Sequence, residues 1–137
     1  MKIIIDTNVV LDVLLNRTEF LQYSREVLKL SSQNKVTGLI TTNTITDIFY
    51  VIRKNSKDAL KSRQAIAQLI KLVALEAIIP NDISLALTSN MNDFEDAIMS
   101  FAAKRIKADY IVTRNTADFI NSPVAAITPA DFISKLC

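Results

Sequence analysis

The sequence predicts an α/β fold with three layers, α/β/α, around a central and mainly parallel sheet of four or five strands. Short strand-like runs alternate along the chain with amphipathic helical stretches. The strand-like runs are apolar throughout, as in Ile3-Ile4-Ile5, which is typical of strands that are buried on both faces. No linker, repeat or low-complexity stretch interrupts this alternation, so residues 1–137 are predicted to form a single domain.

The first half of the chain predicts two strands and four helices. Residues 2–5 and 38–40 are short apolar runs of strand type. The helices are indicated by apolar residues, and one serine, three and four positions apart, at 7–16 (Val9, Val10, Val13, Leu14), 19–32 (Phe20, Ser24, Val27, Leu28), 41–54 (Ile45, Ile48, Phe49, Ile52) and 58–73 (Ile66, Leu69, Ile70, Val73).

The second half predicts three strands and three helices. Residues 75–79 form a strand that Pro80 ends, and a short helix follows at 82–88. The helix at 92–107 has one apolar face, and strands follow at 108–113 and 124–127. The last helix begins with a cap, a first-turn proline and a capping-box acid, at Thr128, Pro129 and Asp131.

The composition excludes several kinds of chemistry. The chain has no histidine and one cysteine, Cys137, so histidine-dependent nucleophiles, histidine-based zinc sites and an internal disulfide are excluded. The net charge of +2 permits nucleic-acid binding without predicting it. If the protein is an enzyme, carboxylates are the groups expected to carry the reaction.

The N-terminal stretch is not expected to be a signal peptide or a membrane span. Asp6 and Asp12 interrupt its apolar residues, and no small-residue cleavage site follows. No apolar run approaches the roughly 20 residues that a membrane span needs. We therefore expect a cytoplasmic protein without a membrane partner.

Acidic residues stand where the predicted fold can bring them together. Asp6 follows the first strand, and Asn115 and Asp118 follow the strand at 108–113. Asp47 lies on the helix at 41–54, and Asp93 and Asp96 lie three positions apart near the start of a later helix. In parallel sheets the site lies beyond the carboxyl ends of the strands. Clustered carboxylates without histidine or cysteine favour Mg²⁺ or Mn²⁺.

Each of these residues also has a purely structural explanation. Asp6 is equally well read as a helix N-cap. The alternatives for the others are favourable charge at a helix N-terminus (Asp93, Asp96), a solvated helix face (Asp47), a turn (Asp118) and a surface ion pair (Arg114).

Two stretches, IIIDTNVVLDVLL and DFEDAIMSFAAKRIKADYIVTRNTADF, carry a resemblance to a known family. In the order and spacing of these elements the chain resembles the PIN-domain family of metal-dependent ribonucleases, which includes the VapC-like toxins of bacterial toxin–antitoxin pairs. The resemblance implies that Asp6 and Asp96 ligate the metal, with Asp93 as a companion acid and Asp118 as the acid of the TRN-type loop. It also implies that Thr7, Asn8, Thr113 and Asn115 are polar residues close to that site.

The chain departs from the family pattern at two positions. The family commonly has a glutamate on the helix after the second strand, where the nearest acid here is Asp47. Asn115 stands where the TRN-type loop usually offers an acid. These departures favour one ion, held by Asp6 and Asp96, over two.

The sequence therefore predicts an endoribonuclease that uses Mg²⁺ or Mn²⁺ to cleave single-stranded RNA. Asp6, Asp47, Asp96 and Asp118 are the expected catalytic residues, with Arg114 neutralising phosphate charge. A basic run is expected either to follow the RNA backbone or to be a solvated helix face; it consists of Arg53, Lys54, Lys57, Lys61 and Arg63. The resemblance also implies a homodimer, for which the helices at 19–32 and 42–54 are interface candidates, and it allows an antitoxin partner.

Two rival functions follow from the same residues. A non-catalytic PIN-like module that binds RNA or protein is favoured by the missing glutamate and by Asn115. A metal-dependent phosphatase or response-regulator-like pocket ranks lower, because no second acid adjoins Asp6 on its strand.

Overall fold

A single sheet of five parallel strands forms the centre of the molecule, in the order β3-β2-β1-β4-β5. The computed structural model describes residues 1–136. The strands are β1 (Lys2–Ile5), β2 (Thr37–Thr41), β3 (Ala74–Glu76), β4 (Tyr110–Val112) and β5 (Ala126–Ile127). The helices are α1 (Thr7–Leu14), α2 (Leu21–Ser32), α3 (Thr42–Ser56), α4 (Ala59–Leu72), α5 (Pro80–Leu87), α6 (Phe94–Arg105) and α7 (Pro129–Leu136), with a 3₁₀ helix at Thr116–Phe119. The predicted α/β class is confirmed.

Side chains alternate across the sheet and build a core on each face. Ile3 and Ile5 point into a core formed with α1, α2, α3, α4 and α7. Ile4 and Ile111 point into the opposite core, which α6 covers through Met99 and Ala103. Helix α5 packs against α6 on that side. Burial of both faces explains why the strands are apolar without interruption, and it produces the predicted three layers.

The boundaries differ from prediction chiefly around Pro80. Strand β3 ends at Glu76 rather than at residue 79, and α5 begins at Pro80 rather than at residue 82. The Oδ2 atom of Asp82 accepts a hydrogen bond from the backbone N–H of Ile79 at 3.1 Å, which fixes the start of the helix. Proline suits this first helical position because it needs no hydrogen-bond donor there.

The apolar stripes of α2 and α3 lie in the core. Val27 and Leu28 of α2 and Ile48 and Ile52 of α3 are buried. Packing within one chain therefore accounts for these stripes, and they give no support for a dimer interface on the predicted helices. Among residues 1–136, no helix has both the length and the apolar character needed to cross a membrane.

Candidate active site

The candidate site lies where the strand order reverses, between the carboxyl ends of β1 and β4. The chain adds β2 and β3 on one side of β1, and β4 and β5 on the other. Asp6 directly follows β1 and Thr113 directly follows β4, and the Asp6 N–H donates to the carbonyl of Val112 at 2.9 Å. In open α/β sheets this reversal leaves a crevice at the ends of the strands, which is the usual position for a ligand.

Three hydrogen-bond donors determine the orientation of the Asp6 carboxylate. Its Oδ1 accepts from the backbone N–H of Thr7 at 2.7 Å, so Asp6 is the N-cap of α1. Its Oδ2 accepts from the Thr113 hydroxyl at 2.8 Å and from the Asn8 side-chain amide at 3.4 Å. The N–H of Asn115 donates in turn to the Thr113 hydroxyl at 3.0 Å. Asp6 therefore caps α1 through one oxygen and is also positioned at the candidate site, so the two explanations of this residue are compatible.

An acidic cleft of about 340 Å³ opens beside Asp6, and we refer to it as the acidic cleft. Six carboxylates line it, Asp6, Asp47, Asp93, Glu95, Asp96 and Asp118, together with Thr7, Asn8, Leu11, Arg17 and Asn115. Helix α3 contributes Asp47, the start of α6 contributes Asp93, Glu95 and Asp96, and the 3₁₀ helix contributes Asp118. Four stretches that are distant in sequence thus meet at one place.

The start of α6 is organised by its own acids. Asp93 is the N-cap, and its Oδ1 accepts from the backbone N–H of Asp96 at 2.9 Å. This is the structural role that sequence alone allows for an acid at this position. The cap also fixes where Asp96 stands on the first turn of the helix, with its side chain at the cleft.

Burial and mutual repulsion shift the pKa values of three of these carboxyl groups. Burial, together with the charges of Asp93, Asp6, Asp118 and Glu95, raises the pKa of Asp96 to about 7. Burial also raises the pKa of Asp6, against the hydrogen bonds from Thr113 and Thr7, which lower it. The charge of Asp47 is the main cause that raises the pKa of Glu95. Repulsion of this kind is relieved by a bound cation.

Eight of the predicted site residues line the cleft, and two do not. Those that line it are Asp6, Thr7, Asn8, Asp47, Asp93, Asp96, Asn115 and Asp118. Thr113 is fully buried behind Asp6, to which it donates its hydroxyl. Arg114 points elsewhere: its Nε donates to Oδ2 of Asp12 at 2.8 Å, and its guanidinium lies 3.8 Å from the centre of the Phe20 ring. The structure gives no support for Arg114 as the group that neutralises phosphate charge in the cleft.

Sequence reasoning missed Glu95 and Arg17. Glu95 lies between Asp93 and Asp96 in the sequence, and its charge interacts with that of Asp47 on α3. Arg17 follows the end of α1, after a left-handed turn at Asn16, and its Nη1 lies 3.6 Å from Oδ1 of Asp12. A turn at Asn16 was not foreseeable from the apolar stripe. Arg17 is the one basic residue among those that line the cleft.

The predicted basic run lies at the end of α3, at the following turn and at the start of α4. All five of its side chains are exposed, and none of them lines the acidic cleft. Lys57 forms the left-handed cap of α3, with φ of 57°. Exposed basic side chains fit both a solvated helix face and an RNA track, so both interpretations of the run stay predictions.

The donor set of the cleft fits a hard divalent cation. Among residues 1–136, no three acidic, histidine or cysteine side chains already form a cage for an ion. Mg²⁺, however, is commonly held by one or two carboxylates with waters as the remaining ligands. Asp6 and Asp96 supply two such carboxylates, and four further acids line the cleft around them.

Comparisons with known proteins agree with this geometry. A family model described as PIN domain matches residues 2–117. Ribonuclease VapC1 of Aquifex aeolicus (strain VF5) is 24% identical over 137 residues, which is 98% of this chain and 94% of that protein.

Solved structures of similar fold are complexes. VapBC2 from Rickettsia felis, bound to a DNA fragment from its promoter, has a TM-score of 0.72 and 14% identity, covering 93% of this chain and 98% of that chain. FitAB bound to the IR36 DNA fragment has a TM-score of 0.71 and 17% identity, covering 93% and 94%. VapBC-1 from nontypeable Haemophilus influenzae has a TM-score of 0.70 and 15% identity, covering 95% and 99%.

Proposed function

This chain belongs to the PIN domain family, and on that premise we propose that it is a metal-dependent endoribonuclease that hydrolyses phosphodiester bonds of single-stranded RNA. The observation that carries the proposal is the convergence of six carboxylates around the buried Asp6, at the carboxyl ends of β1 and β4. Without a cation at this place the six acids repel one another, and Arg17 is the one basic residue among the lining residues to offset that repulsion. The similarity to Ribonuclease VapC1 supports the choice of RNA as the substrate.

Asp6 and Asp96 are the residues proposed to hold Mg²⁺ or Mn²⁺, with Asp93 or Asp118 assisting. A divalent cation bound there lowers the pKa of a water molecule and stabilises negative charge on the phosphoryl group. Asp6 is the buried carboxylate among the six that line the cleft, and the donors that bond to it fix its position before any ligand arrives. Asp96 is the adjustable partner, because its raised pKa means that it must release a proton to act as a ligand.

The remaining residues of the cleft have roles toward water and phosphate. Asp118 and Asp47 are exposed acids that line the cleft, and we assign to them the orientation of the attacking water. The charge of Asp47 acts on Glu95, and we assign to Glu95 the role that the family commonly gives to a glutamate on the helix after the second strand. Arg17 reaches the cleft with a partly exposed side chain and is the group proposed to neutralise phosphate charge there.

We propose an antitoxin as the protein partner. The support is that the three structures of similar fold are toxin–antitoxin-type complexes named VapBC2, FitAB and VapBC-1. A homodimer stays a prediction from the family resemblance. A partner that covers the cleft would also control the nuclease.

The decisive experiment is cleavage of end-labelled single-stranded RNA by the purified protein, with Mn²⁺, with EDTA and with the Asp96→Asn variant. We expect cutting that requires Mn²⁺ and that the variant loses. Glu26→Gln is the matched control, because Glu26 is a partly exposed acid of α2 outside the cleft, and it should cut as the wild type does.

Two results would contradict the proposal. No cutting by a folded wild-type protein would favour a non-catalytic binding module. Cutting that Asp96→Asn retains would show either a contaminating nuclease or a reaction elsewhere on the protein.

A further inference from the structure

A second cavity of about 270 Å³ opens at the same carboxyl edge of the sheet, and we call it the aromatic pocket. Its lining includes Phe20 and Tyr23 from the start of α2, Arg114 from the end of β4 and Thr128 from the end of β5. The lining is mainly apolar, with one guanidinium in it and the carboxylate of Glu19 at its wall. Neither the family match nor the proposed cleavage assigns it a role.

The Arg114 guanidinium is held in this pocket by Asp12 and lies against the ring of Phe20. Its Nε donates to Asp12 at 2.8 Å, and its central carbon lies 3.8 Å from the centre of the Phe20 ring. Within the part of the chain that the structure describes, no hydrogen bond engages its two terminal nitrogens, although its side chain is only 23% exposed. A planar cation with free donors and a fixed orientation is thus presented beside an aromatic ring.

The aromatic pocket is joined to the acidic cleft through one buried carboxylate. Asp12 is fully buried and lies between two arginines: its Oδ2 accepts from Arg114, which lines the pocket, and its Oδ1 lies 3.6 Å from Arg17, which lines the cleft. The backbone N–H of Arg114 also donates to the side chain of Asn8, at the cleft, at 3.3 Å. The pocket and the cleft are therefore neighbours at this edge of the sheet, linked through Asp12 and Asn8.

We propose that the aromatic pocket binds one unstacked base of the RNA, in a nucleotide that flanks the scissile bond. Single-stranded RNA is recognised through bases that stack on aromatic rings and on arginine planes. Tyr23 is 45% exposed and offers its ring for such a contact. Glu19 repels a second phosphate but can accept a hydrogen bond from an exocyclic amino group, so the pocket fits a base better than a phosphate. This inference rests on the proposed ribonuclease function.

The test measures binding separately from cleavage. A fluorescein-labelled single-stranded oligoribonucleotide is titrated with protein in EDTA, and Tyr23→Ala and Arg114→Lys are compared with the wild type. We expect both variants to fold, because Tyr23 is exposed and because lysine keeps a positive charge beside Asp12. We expect each variant to weaken RNA binding about tenfold, which is typical for the loss of one stacked base.

The matched control is Ile70→Ala. Ile70 is 48% exposed, close to the exposure of Tyr23, and it lines a different cavity with Thr37 and Gly38, where β2 begins, at the opposite edge of the sheet. It should bind RNA as the wild type does. A second expectation concerns oligoribonucleotides that carry a single abasic site. At one position that flanks the scissile bond, loss of the base should weaken binding by the wild type about tenfold. The same loss should change binding by Tyr23→Ala little, because this variant has already lost the contact with the base.

The outcomes separate this inference from the ribonuclease proposal. RNA cleavage by the wild type, with unchanged RNA binding by Tyr23→Ala and Arg114→Lys, would overturn the pocket and leave the nuclease intact. Pocket-dependent RNA binding without cleavage would support the pocket and contradict the nuclease. Loss of binding in Ile70→Ala as well would overturn the pocket, because the effect would then not be local.

Discussion

The hydroxyl of Thr113 lies 2.8 Å from Oδ2 of Asp6, although the two residues are 107 positions apart in the chain. Parallel pairing of β1 with β4, with Ile5 opposite Val112, brings the two strand ends side by side. The carboxylate at the centre of the acidic cleft is thus positioned by a residue from the other end of the sequence. Its geometry depends on the sheet as well as on the adjacent residues Thr7 and Asn8.

Replacing Thr113 by valine should weaken metal binding while preserving the fold. Valine has nearly the same shape but lacks the hydroxyl that helps to keep the Asp6 carboxylate charged. Loss of a hydrogen bond that orients a ligand commonly lowers metal affinity about 10- to 100-fold. Calorimetric titration with Mn²⁺ measures the effect. Thr113→Ser keeps the hydroxyl and should bind within a few-fold of the wild type; equal affinity in the valine variant would show that Asp6 is not a ligand.

Asp96→Asn should stabilise the metal-free protein at pH 8 and abolish its stabilisation by metal. The amide removes one charge from a site where repulsion and burial raise the pKa of Asp96 to about 7. Because this carboxylate is partly exposed, we discount the effect to about 1 kcal/mol, or roughly 3 °C in Tm at this chain length. Thermal unfolding in EDTA and in Mn²⁺ measures both effects. If the variant were less stable than the wild type in EDTA, repulsion among these acids would not destabilise the metal-free protein.

The metal-free protein should lose stability as the pH rises from about 4 to about 7. In this range the folded state holds a proton on Asp96 that the unfolded chain, with a pKa near 3.8, has already released. The unfolded state therefore binds fewer protons, and the free energy of unfolding falls with rising pH. Asp6 contributes in the same direction. The free energy of unfolding, measured in EDTA across this pH range, should fall less steeply with pH in Asp96→Asn than in the wild type. An identical dependence on pH in the two proteins would show that Asp96 is not the cause.

The buried carboxylate of Asp12 should be much more sensitive to mutation than the serine that bonds to it. Asp12 is fully buried and pairs with Arg17 and Arg114, so Asp12→Asn leaves these cations without a counter-charge. The expected loss is about 3 kcal/mol or more in the free energy of unfolding. Ser24 donates to the same carboxylate at 2.9 Å, and Ser24→Ala should cost only about 1 kcal/mol. Urea unfolding of the two variants measures the difference, and equal losses would contradict the role assigned to the ion pairs.

The fold was predictable because its signals are local and repeated. Continuous apolar strands and helical stripes predicted the class, the three layers and most elements to within a few residues. The end of β3 was wrong because Leu75 to Ile79 is apolar enough for a strand, whereas Ile79 instead begins α5 through the side chain of Asp82. The apolar character of Ile79 does not reveal whether it continues β3 or begins α5.

The site was predictable only in part, for a different reason. The acids that follow strands or start helices could be grouped from the topology, and the structure brings them together at the cleft. Arg114 could not be assigned, because its direction depends on Asp12, whose burial between two arginines has no sequence signal. Arg17 was hidden by a left-handed turn at Asn16.

The strand order has a consequence for the synthesis of the protein. Strand β1 leaves the ribosome before the other four strands, yet it lies in the middle of the sheet, between β2 and β4. One side of β1 has no partner until residues 110–112 have been translated, and Thr113 and Asp118 emerge only after them. A nascent chain therefore lacks a complete acidic cleft until residue 118 has been translated. In this order of synthesis the acids at the end of β1, on α3 and at the start of α6 are not joined by Asp118 until the 3₁₀ helix has emerged.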